Sequence, residues 1–162
     1  MTENSRQHEY EVRVEWIGNQ GSGTSGYKAY NRDHVISAEM KRPIEGSADS
    51  AFLGNPSRWN PEDLLVASVS ACHKLWYLHL CVAAGVTVTA YVDAALGRMT
   101  EDASGGGHFT GIELRPIVTI ARGGEPTVAT ALHGDAQRMC FIANSLNFRI
   151  TCRPETRVLD GE

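Results

Sequence analysis

The stretch from Asn60 to Gly85 constrains this chain more than any other. It predicts one long helix with both ends marked. Asn60 can cap the start, and Pro61 at the first helical position forfeits no bond, because that N–H would be unpaired anyway. Glu62 and Asp63 put negative charge where the helix dipole is positive. Gly85 can take the left-handed conformation that closes the other end. The apolar residues between them, among them Leu65, Val66, Val69, Leu75, Trp76, Leu78, Leu80 and Val82, point most of the way around the axis, which predicts a helix buried on all sides. Glu62, Asp63, His73, Lys74 and His79 make the stretch too polar to be expected as a membrane span. A small domain rarely encloses such a helix unaided, so a second copy of the chain is expected to help cover it.

The rest of the chain bounds the class. Its 162 residues, 42% hydrophobic and 21% charged, suit a single soluble domain spanning 1–162. A chain of this length buries about two-thirds of its unfolded surface, enough for a real core. A formal charge of -4 with no basic run argues against a nucleic-acid partner. The opening Met-Thr-Glu-Asn-Ser-Arg-Gln-His-Glu has no apolar core, so no signal peptide and a cytoplasmic location are expected. There, four cysteines read as reactive, metal-binding or simply buried rather than as staples.

Tyr10 to Ile17 alternates, with Tyr10, Val12, Val14 and Trp16 on one face, as a half-buried strand does. A glycine-rich loop follows, then expected strands at Tyr27–Asn31 and Val35–Met40, with Arg32 at the bend between them. Pro43–Trp59 lacks periodicity and is expected to be a loop, long enough for a lid or a subunit contact. Beyond Gly85, Val86–Val92 and Ile112–Ala121 read as a hairpin turned by Gly105-Gly106-Gly107. Pro126 can start a second helix whose stripe is Val128, Leu132, Met139 and Ala143, with Cys140 beside it. Asn147–Cys152 reads as a last strand and Arg153–Glu162 as a frayed tail. This order predicts an α+β fold, with antiparallel sheet and helices packed on one side.

Cys72 and Cys81, nine positions apart on one helix, face opposite ways and cannot bond to each other. A partner for Cys72 must come from elsewhere, and Cys140 is the natural candidate; Cys152 reads as buried filler. Glu62 is ten residues from Cys72, about 15 Å along an ideal helix, so one straight helix cannot bring the two together. Two such helices crossing antiparallel near Ala67 would set Glu62 of one chain against Cys72 of the other, and small Ser68, Ser70 and Ala71 would permit the approach.

The run Asn60-Pro61-Glu62-Asp63-Leu64-Leu65, then Ser70-Ala71-Cys72, then a distant Cys140, resembles the OsmC/Ohr family over most of the chain. The resemblance implies an OsmC-like fold, with antiparallel sheets packed on a long buried central helix in an intertwined homodimer. It also implies a thiol peroxidase that reduces organic hydroperoxides and needs no cofactor. On the matching positions Cys72 is the peroxidatic thiol, Cys140 the resolving thiol and Glu62 the carboxylate. The family's arginine is expected at Arg32, with Arg58 as the alternative. A lipoyl-type external dithiol is the implied reductant.

That chemistry needs these residue types. The thiolate is the nucleophile, and a free thiol is mostly protonated at neutral pH. A guanidinium stabilises thiolate and orients peroxide, while a carboxylate holds the guanidinium. Trp76, Met139 and Phe141 are expected to form apolar walls that favour bulky peroxides. His73 after the first cysteine and Phe141 after the second depart from the best-known members and point to a less-characterised branch. Two other readings compete. One is a metal site built on Cys72, His73, His79, Cys81 and His133, whose spacings match no zinc pattern. The other is a non-catalytic module that binds an apolar molecule at the dimer interface.

Overall fold

Helix α1 runs Pro61–Ala83 in the computed structural model, which describes residues 6–159. At 23 residues it is about 34 Å long. Its C-terminal end closes as the sequence predicts: Gly85 has φ 72°, and Val86 N–H reaches back to the Cys81 carbonyl at 2.8 Å. Within a single chain the helix is not covered on all sides. Val69, His73, Tyr77 and Cys81, each four positions on from the last, form one buried stripe, while Leu75 and Val82 stay 62% and 80% exposed. Polarity does not distinguish α1 from a membrane span either, since its most apolar 18-residue window reaches a mean hydropathy of 1.2. What marks it as a core helix is the packing of that stripe against sheet residues.

The chain divides into two compact units, Met1–Glu62 and Asp63–Glu162. The first holds an antiparallel sheet in the order β1-β2-β3, from Arg13–Trp16, His34–Ser37 and Ile44–Gly46. Gly46 pairs with His34, whose ring lies 2.3 Å from where a Cβ on Gly46 would sit, so a larger residue there requires that ring to move. The expected strands Tyr10–Ile17 and Val35–Met40 are therefore real but shorter. Tyr27–Asn31 is not a strand. It turns tightly, Ala29 N–H bonding the Gly26 carbonyl, and the Arg32 side chain takes the carbonyls that a ladder would have used. Pro43–Trp59 is not a plain loop, because it contains β3, a 3-10 turn at Ser50–Phe52 capped by Asp49, and a bridge from Gly46 to Trp59.

The second unit adds β4 (Val88–Asp93), β5 (Leu96–Glu101), β6 (Gly107–Leu114) and β7 (Pro116–Ile120). Helices α2 (Pro126–Met139) and α3 (Phe141–Asn144) follow, then β8 (Arg149–Cys152) and β9 (Glu155–Val158). Two sheets result, β4-β7-β9 and β5-β6-β8. The expected strand Ile112–Ala121 is two strands. Pro116 has no N–H to give, and Arg115 N–H leaves the ladder for the Asp93 carboxylate at 2.7 Å. The glycine turn joins β5 to β6, not the two strands assigned to it. The expected frayed tail holds β9. The sheets are also not wholly antiparallel, because β6 and β8 run parallel, as do β7 and β9. The segment holding α2 and α3 between β7 and β8 provides the long crossover that parallel pairing requires.

Two apolar clusters fill this unit. Val69 packs with Ile112, Leu114 and Ile150, whereas Tyr77 and Cys81 pack with Val118, Ile120, Ala129 and Ala136. The buried face of α2 is Ala129, His133 and Ala136 rather than the expected Val128 stripe, with Val128 and Met139 on the exposed side. Small alanines let α2 approach closely, and Leu132 packs at the margin.

Candidate functional site

Cys72 sits on α1 outside the buried stripe and is half-buried, while Cys81 lies within that stripe. Cys140 is not inside the second helix as expected. It occupies the break between α2 and α3, with extended backbone at φ -70° and ψ 109°. There its sulfur accepts the Ala143 N–H at 3.4 Å, starting the short helix α3. The Cys140 thiol is fully buried and lies against the Cys72 side chain. Burial first, and that contact second, push the Cys140 thiol up to about 11. Cys140 is thus held as a thiol at neutral pH. Two residues far apart in sequence meet because α1 and the α2–α3 joint belong to one unit.

Aromatic residues gather beside them. The Trp76 and Phe141 rings meet edge to face at 5.5 Å, and Trp76 meets His79 the same way at 5.8 Å. Trp76 is one turn beyond Cys72, and Phe141 directly follows Cys140. Met139 precedes Cys140 and is half-exposed.

The other predicted residues lie in the first unit. Arg32 and Glu62 line one pocket of about 390 Å³ with Trp16, Tyr30, His34 and Phe52. Arg32 is held firmly. Its guanidinium donates to the carbonyls of Tyr30 (2.7 Å) and Tyr27 (2.8 Å) and lies over both of their rings, at 4.3 and 4.5 Å. His34 Nδ1 donates to the Arg32 carbonyl at 3.1 Å. Glu62 Oε2 is buried with no hydrogen-bond partner among the described residues. Arg58 is engaged elsewhere, with ion pairs to Asp33 at 3.4 Å and Glu45 at 3.6 Å.

Several residues here were not legible in the sequence. Tyr27 and Tyr30 fall in an expected strand, and nothing in their spacing signals a loop wrapped around a guanidinium. Cys152, read as filler, is half-buried and lies 3.8 Å from His73 Nε2.

Comparisons with known proteins bear on the whole arrangement. Residues 54–155 match a family model described as OsmC-like protein. The chain is similar to an OsmC-like protein of unknown function from Vibrio cholerae, with 26% identity and a TM-score of 0.81 over 91% of this chain and 99% of that one. It is also similar in fold to an organic hydroperoxide resistance protein from Elizabethkingia anophelis, with 17% identity and a TM-score of 0.66 over 95% and 100%. An organic hydroperoxide resistance protein from Legionella pneumophila is as close in fold, with 15% identity and a TM-score of 0.66 over 94% and 100%. Among curated proteins none matches the chain.

Proposed function

The chain belongs to the OsmC-like family, and from that premise we propose that it is a cytoplasmic thiol peroxidase acting on organic hydroperoxides. The observation that carries this reading is the contact between the Cys72 and Cys140 side chains, with Cys140 buried and held as a thiol. The Cys72 thiolate attacks the outer peroxide oxygen, and the O–O bond breaks. The alkoxide leaves with a proton as alcohol, and Cys72 becomes a sulfenic acid. The Cys140 thiol then attacks that sulfur, releasing water and forming a disulfide. An external dithiol, of lipoyl type, reopens the bond by exchange and is itself oxidised.

Trp76, Met139 and Phe141 present the apolar contacts of a bulky peroxide. Arg32 of one chain orients the peroxide bound at the partner's thiols, and Glu62, whose unpaired oxygen suits a cation, steadies that guanidinium. The working unit is a homodimer of one OsmC-like domain per chain. The exposed row Tyr10, Val12, Val14 and Trp16 on and before β1 supports a second copy covering it.

Peptide mapping before and after one equivalent of cumene hydroperoxide tests the reading. The expected result is a Cys72–Cys140 linkage and the loss of two thiols per chain, with a trappable sulfenic acid on Cys72 in the Cys140→Ser variant. Four intact thiols after treatment would overturn it and favour the non-catalytic module that binds an apolar molecule.

A further inference from the structure

Away from the two reactive thiols, the second unit brings together three other ligand-type side chains from three elements. His73 comes from α1, His133 from α2 and Cys152 from the end of β8. His73 Nε2 lies 2.9 Å from His133 Nδ1, and Cys152 Sγ lies 3.8 Å from His73 Nε2. All three donor atoms fall within 4.8 Å of one another. The two histidines are only 1% and 3% exposed, at the level of α1 between the two apolar clusters. A polar pair in that position needs a reason, because apolar side chains would have fused the clusters into one core.

The site is built rather than incidental. The Tyr77 ring stacks on His133 at 3.9 Å between centroids, and the two imidazoles lie within 6° of parallel. Each ring turns one nitrogen inward, while the outer nitrogens, His73 Nδ1 and His133 Nε2, are buried without a hydrogen-bond partner among the described residues. Burial lowers both imidazole pKa values, so at neutral pH the rings carry the lone pairs a metal needs. Asp93 adds negative charge that acts on both His73 and Cys152. Its oxygens are already taken by Ser70 Oγ at 2.6 Å and Arg115 N–H at 2.7 Å, so it neighbours the site without being free to ligate.

We propose that His73 Nε2, His133 Nδ1 and Cys152 Sγ form a binding site for one zinc(II) ion per chain. Tetrahedral zinc with nitrogen ligands at about 2.0 Å and sulfur at about 2.3 Å separates its donors by roughly 3.3–3.6 Å. Two of the distances found, 2.9 and 3.8 Å, straddle that span, and the third pair, His133 Nδ1 and Cys152 Sγ, lies within 4.8 Å. To bind the ion, the two rings must turn so that both inward nitrogens face it rather than each other, and the proton of the His73–His133 hydrogen bond moves to the outer nitrogen of the ring that carries it. On binding, the Cys152 thiol gives up its proton to solvent and zinc takes the thiolate, with no change of oxidation state. Three protein ligands leave one position for water or another small ligand. The metal set the sequence offers, Cys72, His73, His79, Cys81 and His133, shares only its two buried histidines with this one; Cys152 supplies the sulfur.

The test uses the full chain carrying Cys72→Ser and Cys140→Ser, so that the reactive pair can neither bind metal nor oxidise. Zinc binding by competition with a chromophoric chelator should give one ion per chain. Cobalt(II) in its place should produce a near-ultraviolet thiolate-to-cobalt absorption. Adding Cys152→Ser, a near-isosteric change, should abolish that band and weaken zinc binding by about 100-fold. Absence of stoichiometric zinc, or cobalt binding without the thiolate band, would overturn the proposal. If the triple variant does not fold, the cobalt spectrum of the double variant decides. Neither result depends on peroxidase activity.

Discussion

Arg32 and Arg58 are the two arginines that the sequence offers for one role, and their surroundings separate them. Arg58 is committed to Asp33 and Glu45, while Arg32 is pinned by carbonyls and rings beside Glu62 in a pocket. A guanidinium fixed by neutral groups keeps its charge available, which an ion-paired one does not. At the same scale, Cys140 makes a prediction about pH. The folded chain holds this thiol proton more tightly than the unfolded chain, whose cysteine titrates near 8.5, because burial has raised the folded value to about 11. The stabilisation is therefore complete below the unfolded value and is lost as pH rises through the folded one. Urea midpoints should fall between pH 8 and pH 10.5, and the reduced Cys140→Ser variant should lose less by on the order of 2 kcal/mol. Equal losses in the two proteins would show that the thiol is not held back in this way.

Elements were legible where the sequence carries local punctuation and illegible where pairing is remote. Helix α1 could be read to within a residue or two because Pro61 and Gly85 mark its ends. By contrast, β9 lies in Glu155-Thr156-Arg157-Val158, which has no alternation of its own; its parallel pairing with β7 forms it. The same holds for β5, whose Gly97 has Val66 and Phe109 where a Cβ would be. The motif pointed to Cys72 and Cys140 as neighbours, whereas nothing in Met139-Cys140-Phe141 signals the helix break at Cys140, since none of the three is a helix breaker. Gly85 gives a clean test at this scale. Space around it is open, so Gly85→Ala costs only the left-handed backbone strain, about 1 kcal/mol. Its Tm should drop by about 2–4 °C with the fold unchanged. A drop beyond 10 °C would point to lost packing rather than backbone strain.

At the scale of the whole molecule, the proposed reading requires two chains. Light scattering should give twice the 17.7 kDa of the chain. Mixing is more discriminating than mass. In the proposed arrangement a Cys72→Ser chain and a Glu62→Gln chain, each nearly inactive alone, form mixed dimers with one intact site. Co-refolding them in equal amounts should restore roughly a quarter of wild-type turnover per chain, since half of the dimers are mixed and each has one good site of two. No recovery above the separate variants would place both groups in the same subunit's site.

Cys140 stands at a seam, with α2 ending on one side of it and α3 starting on the other. A sulfur mounted inside an unbroken helix could be tethered only by dragging rigid turns along with it. At a seam, pivoting about a few single bonds is enough. On the proposed reading, the joint would serve as a hinge for a tether made and released many times, each cycle leaving the neighbouring helices wound.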